Sequence, residues 1–109
     1  MQRIQLPTDR ITDWKSFHSV FAEVMGFPTF YGRNLDAWID CMSDLTQTDR
    51  GMTKVQIQKG EALLLEIVSA GAFKKRLPEI FDALLECTIA VNRRFLEANE
   101  PPVISLVFL

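Results

Sequence analysis

The chain has 109 residues, 48% of them hydrophobic, with 12 basic and 14 acidic side chains and a net charge of -2. That is enough apolar material for one packed domain over 1–109, and too little positive charge for a nucleic-acid binder unless the basic residues gather on one face. Cys41 and Cys87 stand in no CxxC or metal-like spacing, and two cysteines are too few for a disulfide-stapled secreted domain.

In chain order, QRIQL at 2–6 alternates polar and apolar and predicts a first strand, followed by a turn at PTDR, 7–10. Thr12 is placed to cap a helix, and Asp13 suits the positive end of its dipole. Trp14, Phe17, Phe21, Val24 and Met25 recur at three- and four-residue spacing, and Gly26 with Pro28 ends that helix. A second helix starts near Asn34, a good cap, with Gly32 giving the tight turn before it, and runs to Leu45. A polar loop fills 46–52. TKVQIQ at 53–58 alternates strictly and predicts a strand with one wet face, KGE at 59–61 a turn, and ALLLEIVS at 62–69 a strand buried on both faces, so 53–69 reads as a hairpin.

A short helix over 72–77 precedes Pro78, which is tolerated in the first turn of a new helix. Ile80, Phe81, Leu84, Leu85, Thr88, Val91, Phe95 and Leu96 mark its long apolar stripe, closed by Asn99 and two prolines. The chain finishes on VISLVFL, 103–109, a strand apolar enough to be expected in the core. Helices between strands favour parallel pairing through right-handed crossovers, giving an α/β fold. The basic runs Lys74-Lys75-Arg76 and Arg93-Arg94 are short and read as solvated helix surface. Residues 1–20 lack the pattern of a signal peptide, and the apolar run at 62–65 is far too short to cross a bilayer. A reduced, soluble, cytoplasmic protein with no membrane contact is expected.

The stretch FYGRNLDAWIDCMSDL, 30–45, poses the functional question. Asp36, Asp40 and Asp44 follow one another at four-residue spacing, where like charges on a helix stack and repel. At about 100° per residue, Asp40, Asp44 and Ser43 fall within about 80° of Asp36, while Leu35, Trp38, Cys41, Met42 and Leu45 fall on the opposite half. Ile39 lies at the edge of the acidic face, where packing alone does not call for an apolar residue. An ordinary solvated face explains Asp36, which also suits the dipole, but explains Asp44 poorly, because an acid near a helix C-terminus opposes it.

Other chemistries fit less well. Three carboxylates along about 12 Å of straight helix cannot meet one ion, and a hard cation wants six or more oxygens from a folded loop. The single histidine, His18, sits on another helix, flanking an apolar stripe, where a structural role is expected. A convex helix face offers no cleft for an acid and base pair. Cys41 and Cys87 are expected to be buried and inert. No metal, no cofactor and no enzymatic activity are expected, a small hydrolase being the least favoured alternative. Aligned carboxylates instead suit a binding surface for a basic protein, since they steer a cationic partner at long range.

The pattern aromatic-Tyr-Gly-x-Asn-Leu-Asp-Ala-x-x-Asp-Cys, with Pro28 before it, resembles the barstar family of intracellular inhibitors of extracellular bacterial ribonucleases. The order of elements around it, including Leu65-Glu66 on a buried strand, is similar. The resemblance implies a small, mostly parallel three-stranded sheet packed with about four helices, to which 53–58 would add one antiparallel strand. It also implies blockade of a barnase-type ribonuclease by the acidic helix and the loop before it, with Asp40 in the enzyme's phosphate site. By the same correspondence Phe30 and Asp36 are contacts, Tyr31, Gly32 and Asn34 form the binding loop, Ser43 stands where the family has a threonine, and Glu97 matches a contacting glutamate on the last helix. Ile39 takes the place of a tryptophan contact, and Asp44 and Leu45 replace a glycine and a tryptophan, so aromatic anchors are missing. The expected partner is therefore an extracellular-type bacterial ribonuclease or another basic protein, with no direct nucleic-acid contact and a monomer when free. A barstar-fold module with a basic non-nuclease partner is the alternative.

Overall fold

The computed structural model describes residues 2–47 and 49–109. Strand β1, Arg3–Leu6, leads through a 3-10 turn at Thr8–Arg10 into α1, Trp14–Met25, and α2, Leu35–Met42. Then follow β2, Leu63–Ile67, α3, Ala70–Arg76, α4, Pro78–Glu97, and β3, Ile104–Phe108. The sheet has order β1-β2-β3 and is parallel throughout, with Leu65 of β2 opposite Ile4 on one side and Leu106 on the other. Each parallel step is made by a pair of helices, as the alternation of strands and helices requires.

Local chemistry explains the helix ends. Asp13, not Thr12, caps α1: its Oδ1 accepts the Ser16 amide at 2.8 Å, and the Ser16 hydroxyl returns to the Asp13 amide at 3.0 Å. The reciprocal box satisfies two free donors at once, and a carboxylate does so better than a lone hydroxyl. Those bonds hold the Asp13 carboxyl below the usual carboxylate range, the Ser16 amide contributing most. Gly26 closes α1 in the left-handed region at φ 68°. Pro78 begins α4 at its first turn, and Asn99, at φ 61°, carries the chain out of it.

β2 is the centre of the core. Leu63, Leu65 and Ile67 are fully buried, in one core cluster with Phe17, Phe21, Trp38 and Phe73. Glu66 is also buried, and Arg3 Nη2 meets its carboxylate at 2.7 Å. That hydrogen bond, the largest influence, holds the Glu66 carboxyl below its ordinary range. β3 is held from the helix side by Asn92, whose Oδ1 accepts the amides of Val103 and Ile104 at 3.0 and 2.9 Å.

Two further expectations from the sequence are corrected. Residues 53–58 form no strand and no hairpin with β2. Both edges of β2 are taken by β1 and β3, so β2 itself has no ladder open to a hairpin partner. The segment instead runs as an extended strap across the ends of α1 and α2. The Lys54 and Val55 amides donate to Met25 O at 3.0 and 3.2 Å, and the Ile57 amide to Leu45 O at 3.0 Å. Its alternation is real, since Thr53 and Ile57 are buried while Lys54 and Gln58 are exposed, but it reports extended chain lying on a core. The C-terminus is likewise only partly in the core. Val103 and Ile104 are buried, but β3 is an edge strand and Phe108 and Leu109 remain more than half exposed.

The strap and α1 meet at Gly26, where an added Cβ would lie 2.6 Å from Lys54 Cβ as well as at a positive φ. Gly26→Ala should therefore cost about 1–3 kcal/mol of unfolding free energy. Urea denaturation checks it, and a loss below about 0.5 kcal/mol would mean the strap moves aside freely.

Candidate functional site

The outward face of α2 is positioned by what its inward face buries. Trp38, Cys41 and Met42 are at most 1% exposed, and the Trp38 ring meets Phe21 edge-on at 5.5 Å. Asn34 caps the helix, its Oδ1 accepting the Ala37 amide at 2.7 Å. With that face fixed, Asp36 in the first turn and Asp40 one turn later point outward, the Asp40 side chain 62% accessible.

Asp44 does not join them. The helix ends at Met42, and the Asp44 amide closes a tighter turn onto Cys41 O at 3.1 Å. This turns the Asp44 side chain aside, where it is only 16% accessible and lies 3.7 Å from Arg50 Nη1. Extrapolating the helical wheel past the last turn placed it wrongly. Ending the helix early also removes the conflict between that carboxylate and the helix dipole. Ser43, at the C-cap, donates its hydroxyl to Ile39 O at 2.6 Å. Ile39 is half-buried against the core, and Phe30 stands 73% exposed before the helix.

The loop leading into α2 is built differently from the sequence expectation. Tyr31 is buried, its hydroxyl sharing a 2.6 Å hydrogen bond with His18 Nδ1 and its ring 4.7 Å from Phe27. It anchors the loop, and its side chain is not available as a contact surface. Burial pushes the Tyr31 phenol well above its ordinary range. The left-handed residue of the turn is Arg33, at φ 54°, and not Gly32, whose added Cβ would come 3.3 Å from Ala37 Cβ. A non-glycine residue in that region is strained. Arg33 is held there by bonds from Nη2 to Lys15 O at 3.0 Å and Ser19 Oγ at 2.7 Å. Beside the loop lies an open recess of about 450 Å³ lined by Trp14, Lys15, His18, Arg33, Asn34 and Leu35. The surface thus changes sign, from acidic along α2 to basic at its start.

One charge on this face was missed. Arg94 of α4 reaches across to α2, its Nη1 3.1 Å from Asp40 Oδ1 and 3.2 Å from Ser43 Oγ. Taken as one basic run, Arg93-Arg94 looked like solvated surface. Helical phase separates the two: Arg94 falls about 60° from buried Val91 and Arg93 about 160°. Glu97, exposed in the last turn of α4, is three residues beyond Arg94.

The thiols give the site no nucleophile. Burial, then the charges of Asp40 and Asp44, pushes Cys41 up to about 11. Cys87 is raised in the same direction by burial first, then by Glu86 and Asp36. A thiol that stays protonated near neutrality is a poor attacking group. Among the described residues no three His, Cys, Asp or Glu side chains gather as a metal site, and no helix is long and apolar enough to cross a membrane.

The family model for Barstar (barnase inhibitor) matches residues 1–107, and the chain belongs to that family. No curated protein matches the chain. The four helices and parallel sheet agree with the architecture the resemblance implied.

Two stability effects follow from the loop anchor. Tyr31→Phe leaves His18 Nδ1 buried without its partner and should cost about 1–2 kcal/mol in urea unfolding. Burial first, and the Arg33 charge second, hold His18 below its ordinary 6.5. The unfolded chain therefore takes up this proton before the folded one does. Stability should be full above pH 6.5 and decline as pH falls below it. Urea midpoints measured from pH 7.5 to 5.5 should show that decline in the natural chain and a flatter profile in His18→Gln; parallel profiles would remove His18 as the cause.

Proposed function

We propose that this member of the barstar family is a stoichiometric protein inhibitor of a barnase-type ribonuclease, acting as a single domain and monomeric when free. The observation that carries the reading is the Asp40 carboxylate, held outward at the middle of a helix whose other face is locked into the core. A ribonuclease active site is built to receive phosphate, so its cleft concentrates cations. A carboxylate on a convex helix can enter such a cleft and take the place of the phosphate, forming charge-assisted hydrogen bonds with those cations. Occupation of the cleft excludes RNA, and no bond needs to be made or broken.

The remaining side chains have supporting parts. Asp36, in the first turn, adds to the negative field that steers encounter. Phe30 supplies an exposed aromatic ring, the kind of side chain that carries interface energy, and Ile39 a smaller apolar contact. Gly32 and Asn34 shape the loop, with Asn34 also capping α2. Tyr31 acts from beneath, by holding the loop to α1 through His18. Ser43 borders Asp40, and Glu97 stands on the neighbouring helix. Asp44 contributes little, because its side chain is turned toward Arg50. No enzymatic role, metal or cofactor enters this reading, and the cytoplasm, where a host would need protection from its own nuclease, is the compartment it suits.

A second reading has one observation in its favour. Two of the three aspartates already have arginine neighbours within the chain, Arg94 at Asp40 and Arg50 at Asp44. A face so partly neutralised also suits a basic partner that is not a nuclease. Capture of partners from a lysate separates the two readings, a ribonuclease favouring the first and a non-nuclease the second.

Titrating the protein into a barnase-type ribonuclease while following RNA cleavage tests the first reading directly. Inhibition should saturate at one inhibitor per enzyme. Asp40→Ala should weaken it by about 30-fold or more, the size of an interface hot spot, and Asp44→Ala by less than about threefold. Equal losses would replace the phosphate-mimic account with diffuse charge attraction.

A further inference from the structure

Arg94 occupies an unexpected place if the outward face of α2 is where a cationic partner docks. Its guanidinium already fills the position that the partner's cation is expected to take, 3.1 Å from Asp40 Oδ1. Ser43 makes the position a built one. Its hydroxyl proton is committed to Ile39 O at 2.6 Å, so its Oγ turns a lone pair toward Arg94 Nη1 at 3.2 Å. The guanidinium therefore has one acceptor on α2 and one at its C-cap, and is tethered from α4.

We infer that Arg94 is a specificity-determining residue of this face: an internal cationic latch that a partner must displace from Asp40 before its own cation can bind there. The contact is reversible. The Asp40 and Arg94 side chains are 62% and 52% accessible, so water screens the pair and its intrinsic strength is small. Displacement has a local outlet, because Glu97, three residues on, lies at the spacing where helix ion pairs form. The latch still acts twice against a purely cationic ligand. It lowers the negative potential that draws the ligand in, and once displaced it leaves a like charge at the edge of the contact. Partners are favoured if they set a carboxylate beside the cation that takes Asp40, since that carboxylate can receive the released guanidinium.

The inference rests on the inhibitor reading for its biological partner, but its physical core can be tested without one. A hexa-arginine peptide serves as a purely cationic probe, titrated against the natural chain, Arg94→Gln, Arg93→Gln, Asp40→Ala and the Asp40→Ala/Arg94→Gln double variant. Amide NMR shifts of residues 36–43 report binding. Arg94→Gln should bind the peptide about fivefold more tightly than the natural chain, the upper range for release of an exposed ion pair. Arg93→Gln makes the same change in net charge and should gain less than about twofold. In the Asp40→Ala background the Arg94 effect should fall to the less than about twofold gain of Arg93→Gln, the general effect of one charge. Equal gains from Arg93→Gln and Arg94→Gln, or an undiminished gain in the Asp40→Ala background, would overturn the latch. The same variants are then assayed against a barnase-type ribonuclease. No inhibition by any of them would remove the ribonuclease reading while the peptide titration still decides the latch. Inhibition weakened by Arg94→Gln would make Arg94 a partner contact and overturn the latch.

Discussion

An eight-residue helix cannot hold itself in water, because so few backbone bonds do not offset the cost of nucleation. α2 therefore depends on its inward side chains. Trp38, Met42 and Cys41 are all but fully buried, and a large apolar side chain fully buried contributes about 1.5–3 kcal/mol. The anchorage has a cost, since Trp38 Nε1 finds no hydrogen-bond partner among the described residues. The apolar and aromatic contacts of the indole offset that loss. Once those rings are seated, the direction of Asp40 is no longer free: one turn carries three residues into the core, and the next available direction is toward solvent. The outward face of α2, the candidate binding surface, is thus a consequence of the packing on its back.

Both ends of this short helix are tied to α1. Before it, Tyr31 and His18 share a buried hydrogen bond, and Arg33 is kept in a left-handed conformation by its bonds to Lys15 and Ser19. After it, the strap carries Ile57 to Leu45 and Lys54 to the end of α1. The strap at 53–57 does not extend the sheet. It braces the end of α1 against the turn that follows α2. On the inhibitor reading proposed above, a carboxylate that meets a preformed cleft gains from such bracing, because less motion has to be frozen when the partner arrives.

The sequence made most of the scaffold legible. Helical spacing located α1 and α4, the apolar run at 62–69 located the central strand, and Asn34 marked the start of α2. The failures share a cause: each needed information about neighbours. Alternation at 53–58 correctly told which side chains face inward, but whether extended chain pairs into a sheet depends on a free edge, and β2 has none. The wheel for α2 was right for Asp36 and Asp40 and wrong for Asp44, because nothing local shows that the helix tightens at Ser43. Tyr31 sits in a motif whose loop suits recognition, yet its side chain is spent on His18, a partner thirteen residues away in sequence. Arg94 was hidden by being counted with Arg93, although the phase of the α4 stripe already set them on different sides.

That last omission changes how the acidic face works. A count of charges treats Asp36, Asp40 and Asp44 as a reservoir of negative potential with strength set by their number. In the folded chain their environments differ: Asp36 is exposed in the first turn, Asp40 shares an accessible contact with Arg94, and Asp44 is turned inward beside Arg50. Long-range attraction is correspondingly modest for a protein of net charge -2. On the proposed latch, short-range selectivity comes from Arg94, because a cation that binds at Asp40 has to displace a guanidinium already in place. Electrostatic complementarity in interfaces governs choice of partner as much as strength. On the latch proposed above, such a face attracts weakly and adds a modest preference at Asp40 for partners that can receive the released guanidinium.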